Sequence, residues 1–148
     1  MKKIIGIDPD KTDCGICELV GGKISELYTL SPAQLIEDIP TLKSMGFSFA
    51  IENCEQIKTI YARNRNNNSA IQSTIAQSVG MVKGVFSVIH QSLILHKCEV
   101  FLVPTGVGRD WKNDAEKFKK DTGYKGRTNQ DKRDAAAIAF YANNKETK

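Results

Sequence analysis

Four acidic residues in three separate segments have the types and spacing to do chemistry together. Asp8 closes the apolar run IIGID, Glu52 closes FSFAIE, and Asp131 and Asp134 open the alanine-rich stretch DKRDAAAIAFYA. A charge at the end of a buried strand is a costly placement, because an unpaired buried carboxylate loses its hydration. Oxygen-only donors suit hard Mg²⁺ or Mn²⁺. Two such ions roughly 4 Å apart can activate a water and stabilise the leaving oxygen of a scissile phosphate. Without a cation, gathered carboxylates repel one another and raise their own pKa values. Taken singly, each acid has a plainer role: Asp8 before Pro9 as a turn residue, Glu52 as a surface acid, and Asp131 and Asp134 as first-turn charges on a helix dipole. Taken together, in the order in which they occur, they favour a metal site and phosphodiester chemistry on nucleic acid.

The elements that must position these acids follow from the hydrophobic pattern. Residues 3–8 (KIIGID) form a short Ile-rich strand, 14–20 (CGICELV) a second, and Gly21-Gly22 a tight turn into a third at 23–30. Ser31-Pro32 supplies an N-cap and a first-position proline for a helix to about Met45. A fourth strand spans 47–52, and the polar stretch 53–68 is expected to be a loop. Ile71, Ile75, Val79, Val82, Phe86, Ile89 and Leu93 recur every three or four residues, which predicts a long helix over 69–95. A fifth strand at 99–103, a loop at 104–108, a helix over 110–121, a basic loop at 123–129 and a last helix at 130–143 complete the chain. Three strands on short turns make an antiparallel meander, and strands reached across helices can pair in parallel. The expected fold is therefore α/β: a mixed five-stranded sheet flanked by helices, in a single domain over 1–148. The first and fourth strands can lie side by side, and Asp131 and Asp134 sit about 60° apart on one helix face.

Composition bounds the rest. A 148-residue chain can bury a core without disulfides or structural metals. A net charge of +4 permits a polyanionic partner without demanding one. No run approaches the roughly eighteen uninterrupted apolar residues of a membrane span, and the apolar run after Met1-Lys2-Lys3 stops at Asp8, too early for a signal peptide. The expected location is the cytoplasm of a bacterial cell or a virus-infected host, with no membrane partner. Cys14 and Cys17 have CxxC spacing, but on a strand residues three apart face opposite ways, so buried reduced thiols are expected rather than zinc.

With these residues placed, the chain resembles the RuvC family of Holliday junction resolvases, on the RNase H-like fold. IIGIDPDKTDCGI looks like the family's first strand and hairpin, with Gly15 after the Asp-Pro, and FAIEN like its second acidic strand. SVGMVKGVF, with Gly80 and Gly84, resembles the glycine-bearing long helix, and NQDKRDAAAIAFYA the terminal acidic helix. The resemblance spans nearly the whole chain. It implies that Asp8, Glu52, Asp131 and Asp134 ligate two Mg²⁺ ions (Mn²⁺ substituting) and that water attacks the phosphodiester to leave a 5′-phosphate and a 3′-hydroxyl. It also implies a homodimer that nicks a four-way junction in symmetric pairs. Asp10 stands where the family usually has Gly, the segment after Glu52 does not match the aromatic-bearing loop of bacterial members, and Pro104 with Trp111-Lys112 resembles a pattern of phage-type relatives.

Tyr61 is the candidate for base stacking, and Arg63 and Arg65 in the Asn-rich loop are candidates for phosphate contact, as are Lys125, Arg127, Lys132 and Arg133 beside the terminal acids. In the 110–121 segment, basic residues alternate with Asp110, Asp114, Glu116 and Asp121, which reads better as a solvated helix face. Gly80 and Gly84 cost helix stability, about 1 kcal/mol each; close packing on the sheet and a dimer seam both account for them. The function expected is a metal-dependent junction-resolving endonuclease. The alternatives are a less selective nuclease on branched DNA, flaps or RNA–DNA hybrids, a junction binder that does not cut, and an RNase H-like ATPase or sugar kinase. The last needs two such domains around its nucleotide.

Overall fold

The computed structural model describes residues 1–57 and 69–146. Five strands, β1 (Lys3–Asp8), β2 (Cys14–Val20), β3 (Lys23–Leu30), β4 (Ser48–Glu52) and β5 (Val100–Val103), form one sheet in the order β3-β2-β1-β4-β5. β1 pairs antiparallel with β2 and parallel with β4, and β4 pairs parallel with β5. This is the mixed meander-plus-parallel sheet expected from the pattern. Gly21 and Gly22 both have positive φ (58° and 79°), the conformation a two-residue hairpin demands and glycine tolerates.

Strand alternation divides the residues between two cores. Ile5 and Ile7 of β1, Ile16 of β2 and Phe49 and Ile51 of β4 face one side, under α1 (Pro32–Ser44) and α2 (Ser69–Leu95). Leu35, Ile39 and Leu42 of α1 and Phe86, Ile89 and Leu93 of α2 fill that layer. Each such side chain contributes about 1.5–3 kcal/mol by leaving water. α1 starts with a capping box: Gln34 N–H donates to Ser31 Oγ at 3.2 Å, and Ser31 N–H donates to Gln34 Oε1 at 3.0 Å. Cys14 and Cys17 fall on opposite sides of the sheet, in the two different cores, as alternation requires.

The other face carries small residues. Gly6, Gly15 and Ala50 line it, and α5 (Gln130–Glu146) lies across them with Ala135, Ala136, Ile138, Ala139 and Ala142. A Cβ on Gly6 would overlap the Ala135 carbonyl, and one on Gly15 would overlap the Asp131 carbonyl. The two glycines therefore allow the helix backbone to rest on the strands, and the alanine run of α5 is the matching surface.

Three expectations need correction. The helix expected over 110–121 is two helices, α3 (Arg109–Lys112) and α4 (Ala115–Thr122). Asp114 breaks it, because its carboxylate caps α4 by accepting from Lys117 N–H at 2.9 Å. The apolar stripe of α2 enters the core only in its C-terminal half: Phe86, Ile89 and Leu93 are buried, whereas Ile71 is 47% exposed. Among the described residues a Cβ on Gly80 or Gly84 would meet nothing within 4 Å, so packing on the sheet does not explain these glycines. By length and composition α2 is also apolar enough to cross a membrane, although its charged Lys83 and its core-packed face interrupt the apolar surface. Tyr61, Arg63 and Arg65 lie outside the described residues.

Candidate active site

The same alternation that builds the two cores aims the acids. In β1, Ile4, Gly6 and Asp8 share the α5 face, and in β4 Ala50 and Glu52 do so. Ile7 and Ile51 are register partners in the parallel pair, so Asp8 and Glu52 are the next residues along adjacent strands, at their carboxyl ends. α5 brings the other two. Asn129 caps its first turn, its Oδ1 accepting from Lys132 N–H at 2.9 Å, and Gly15 seats that turn on β2 opposite Asp8. Asp131 and Asp134 thereby reach the end of β1. All four acids gather at one end of the sheet.

Their electrostatics reflect that crowding. The Asp8 carboxyl is pushed well above the usual carboxylate range, first by burial and then by the charges of Glu52, Asp134 and Asp131. Glu52 is raised by burial and by Asp134, and lowered in part by a hydrogen bond from the Gly106 N–H. Asp134 is raised by burial, opposed by Lys112 and reinforced by Asp131. Asp131 is raised by burial and by Asp10 and Asp13 in the β1–β2 turn. Within that turn Asp10 is occupied locally, its carboxylate accepting from Lys11 N–H at 2.8 Å and Thr12 Oγ1 at 3.3 Å.

Hard oxygen donors that destabilise one another in their ionised form are the donor set a divalent cation would neutralise. Among the described residues no three of the acids are already drawn in to ligating distance around one point. Binding would have to draw the carboxylates closer together. The donor chemistry fits; the final coordination geometry belongs to the loaded state.

A cleft of about 460 Å³ opens beside the acids, lined by Glu52, Asp134, Gly106, Gly108, Arg109 and Lys112 among others. Lys112, absent from the expected site, is the positive charge that opposes the raised pKa values of all four acids. The Trp111-Lys112 pair was its only sequence signal. The charge alternation of the 110–121 segment hid it by suggesting a solvated face, which holds for Lys117 and its exposed ion pair with Asp121 at 3.0 Å.

Of the expected DNA contacts, Lys125 and Arg127 are exposed on the loop before α5, and Lys132 is partly exposed on its first turn. Arg133 is different. It is only 8% exposed, and its guanidinium donates to the Trp111 and Lys112 carbonyls and to Thr128 Oγ1. Every third or fourth residue of a helix shares a face, and Arg133 lies on the inward one, so it is no surface contact for DNA.

No protein-family model matches the sequence, and no curated protein matches it. Solved structures do. Thermus thermophilus RuvC in complex with a Holliday junction substrate superposes with a TM-score of 0.59 at 16% identity, covering 96% of this chain and 95% of that one. A second Thermus thermophilus RuvC structure gives a TM-score of 0.56 at 15% identity, covering 97% of this chain and 96% of that one. Over nearly all of its length, then, the chain shares the RNase H-like fold of RuvC.

Proposed function

We propose that this protein is a divalent-cation-dependent endonuclease that resolves four-way DNA junctions. The observation that carries the reading is the meeting of Asp8, Glu52, Asp131 and Asp134 at one sheet end, each with a pKa raised by burial and all but Asp131 also by a fellow member of the set. A folded protein keeps such a cluster at a cost, and a bound cation relieves it. Bound there, two Mg²⁺ ions would supply charge neutralisation and activation of water for attack on phosphorus. The water oxygen forms the new P–O bond as the bond to the 3′ oxygen breaks, leaving a 5′-phosphate and a 3′-hydroxyl.

The chain's own residues have separate tasks in this reaction. Asp8 and Glu52 sit on adjacent strands and give the site its rigid half. Asp131 and Asp134 ride on α5 and complete it. Lys112 faces the same cleft and meets the phosphate charge, while Lys125, Arg127 and Lys132 hold the flanking backbone. The RuvC fold, seen in Thermus thermophilus RuvC together with a Holliday junction substrate, supports the choice of substrate.

The functional unit is a homodimer. Met81 and Val88 of α2 are 55% and 54% exposed, and among the described residues nothing lies within 4 Å of a Cβ at Gly80 or Gly84, which leaves room for a second backbone against the same helix. A twofold pair of sites matches a junction with two like strands.

The test is cleavage of a labelled mobile four-way junction in Mg²⁺, Mn²⁺ or EDTA, beside flap, splayed-arm, duplex and RNA–DNA hybrid substrates. Symmetric paired nicks confined to the junction are expected. Equal cutting of flaps or hybrids would make the protein a broader nuclease, and tight junction binding without cutting would make it a binder.

A further inference from the structure

Arg133 is the only charged residue among those described that falls in the buried class. Its Nε donates to the Trp111 carbonyl at 2.9 Å, its Nη2 to the Lys112 carbonyl at 2.9 Å and its Nη1 to Thr128 Oγ1 at 2.8 Å. The acceptors belong to two segments, the end of α3 and the basic loop before α5. α3 has four residues and stops at Lys112, so its terminal carbonyls have little of a helix to bond. The guanidinium fork is the side chain suited to collect several such acceptors at fixed angles.

The other side of α3 is fixed as firmly. Trp111 Nε1 donates to Asp121 at 2.9 Å, and the indole packs edge-on against Phe118 and Phe140, with ring centroids 5.3 and 5.8 Å apart. Lys112 is the next residue, and its side chain lines the cleft with Glu52 and Asp134. A lysine is a flexible point charge; where its ammonium enters the cleft depends on where its backbone is held.

Building on the nuclease reading, we infer that Arg133 is a positioning residue for Lys112. Its grip on the Trp111 and Lys112 carbonyls sets the lysine opposite the acids. α5 thus carries both halves of the arrangement. Asp134 lines the cleft, and Arg133 beside it turns inward to hold the cation that faces it. A shift of α5 then carries Lys112 along, so its distance from Asp131 and Asp134 is maintained.

The experiment compares wild type, Arg133→Lys, Lys112→Ala, the double variant, Thr128→Val, and Thr128→Val with Lys112→Ala. Two readouts are taken: the single-turnover rate of junction cleavage with the junction Kd, and Mn²⁺ affinity by calorimetry without DNA. Arg133→Lys keeps the charge but loses the fork, and should slow cleavage about tenfold or more with Kd unchanged. The double variant should be no slower than Lys112→Ala alone. Removing the lysine charge should tighten Mn²⁺ binding, Arg133→Lys should move it the same way, and in the Lys112→Ala background it should add nothing. Thr128→Val removes one acceptor and should follow the same pattern more weakly; it decides the matter if Arg133→Lys does not fold. Rate defects that multiply in the double variant, unchanged rate and Mn²⁺ affinity in both Arg133→Lys and Thr128→Val, or a weakened Kd with a reduced salt slope would overturn the inference. If the wild type cleaves no junction, the nuclease reading fails, and the Mn²⁺ series still tests the coupling by itself.

Discussion

Replacing Gly15 with alanine should separate the two halves of the acidic site. The new Cβ would overlap the Asp131 carbonyl oxygen, sit 2.5 Å from its carbon and 3.2 Å from Asp131 Cα. All three atoms are backbone, and no rotamer change can move them aside. Restoring ordinary van der Waals separation needs α5 to retreat by roughly 1 Å at its first turn. Overpacking of this kind costs about 1–3 kcal/mol, which for a domain of this size lowers Tm by about 3–10 °C. The catalytic effect should be larger than the thermal one. A 1 Å displacement of a positioned group can cost on the order of 10²-fold in rate, and here Asp131 and Asp134 move together while Asp8 and Glu52 stay. Circular dichroism melts and single-turnover junction cleavage would be measured on the wild type and Gly15→Ala. A Gly15→Ala protein with unchanged melting and unchanged cleavage would falsify the packing argument.

Other outcomes follow from the same site. Asp8→Asn should abolish Mg²⁺-dependent cleavage while junction binding, measured by gel shift, survives; near-normal cleavage would exclude Asp8 from the mechanism. Burial and the neighbouring acids raise the Asp8 pKa in the folded state, so its contribution to stability is present at pH values below the unfolded carboxylate pKa and is lost as pH rises through the folded one. Metal-free protein should therefore melt higher as pH falls from neutral toward about 5. Asp8→Asn should be flatter with pH and more stable at neutrality, and a flat wild-type profile would contradict the assigned burial. Alanine at Lys125 or Arg127 should weaken junction binding and reduce the salt slope by about one for each phosphate no longer neutralised; an unchanged slope would remove that residue from the interface. Sedimentation should give about twice the 16.4 kDa chain mass, and Met81→Glu or Val88→Glu should return the monomer; dimers that persist in both would place the seam elsewhere.

The sheet was legible because its signals are local. Alternation in β1, β2 and β4, two glycines in a hairpin turn and a capping box at Ser31 each act within a few residues. The acids were legible for a related reason, since a charge at the end of an apolar run stands out. What escaped the pattern depends on tertiary detail. Lys112 looks like any lysine in an amphipathic segment until Asp114 ends the helix and α3 is seen lying against α5. Arg133 looks like a DNA contact because it neighbours Asp134, but neighbouring residues in a helix point 100° apart, and that single step separates a surface from a core. Gly6 and Gly15 carry a further lesson. Their function lies in the helix they admit, more than a hundred residues away in the chain.

The partition of cysteines between the two faces of the sheet gives the molecule a set of internal clocks. Burial pushes the Cys14 thiol up to about 11 and those of Cys17 and Cys54 up to about 12, so at neutral pH all three are protonated and shielded from alkylating reagents. Thiolate is the reactive form, and each site reacts only as fast as its surroundings open. Cys98, beyond the end of α2 and partly exposed, would label first and mark time zero. Cys17 reports separation of α5 from the sheet, whereas Cys14 and Cys54 report the α1–α2 layer directly behind the acids. Labelling rates followed with and without Mg²⁺ would then show, face by face, which side of the molecule a cation tightens.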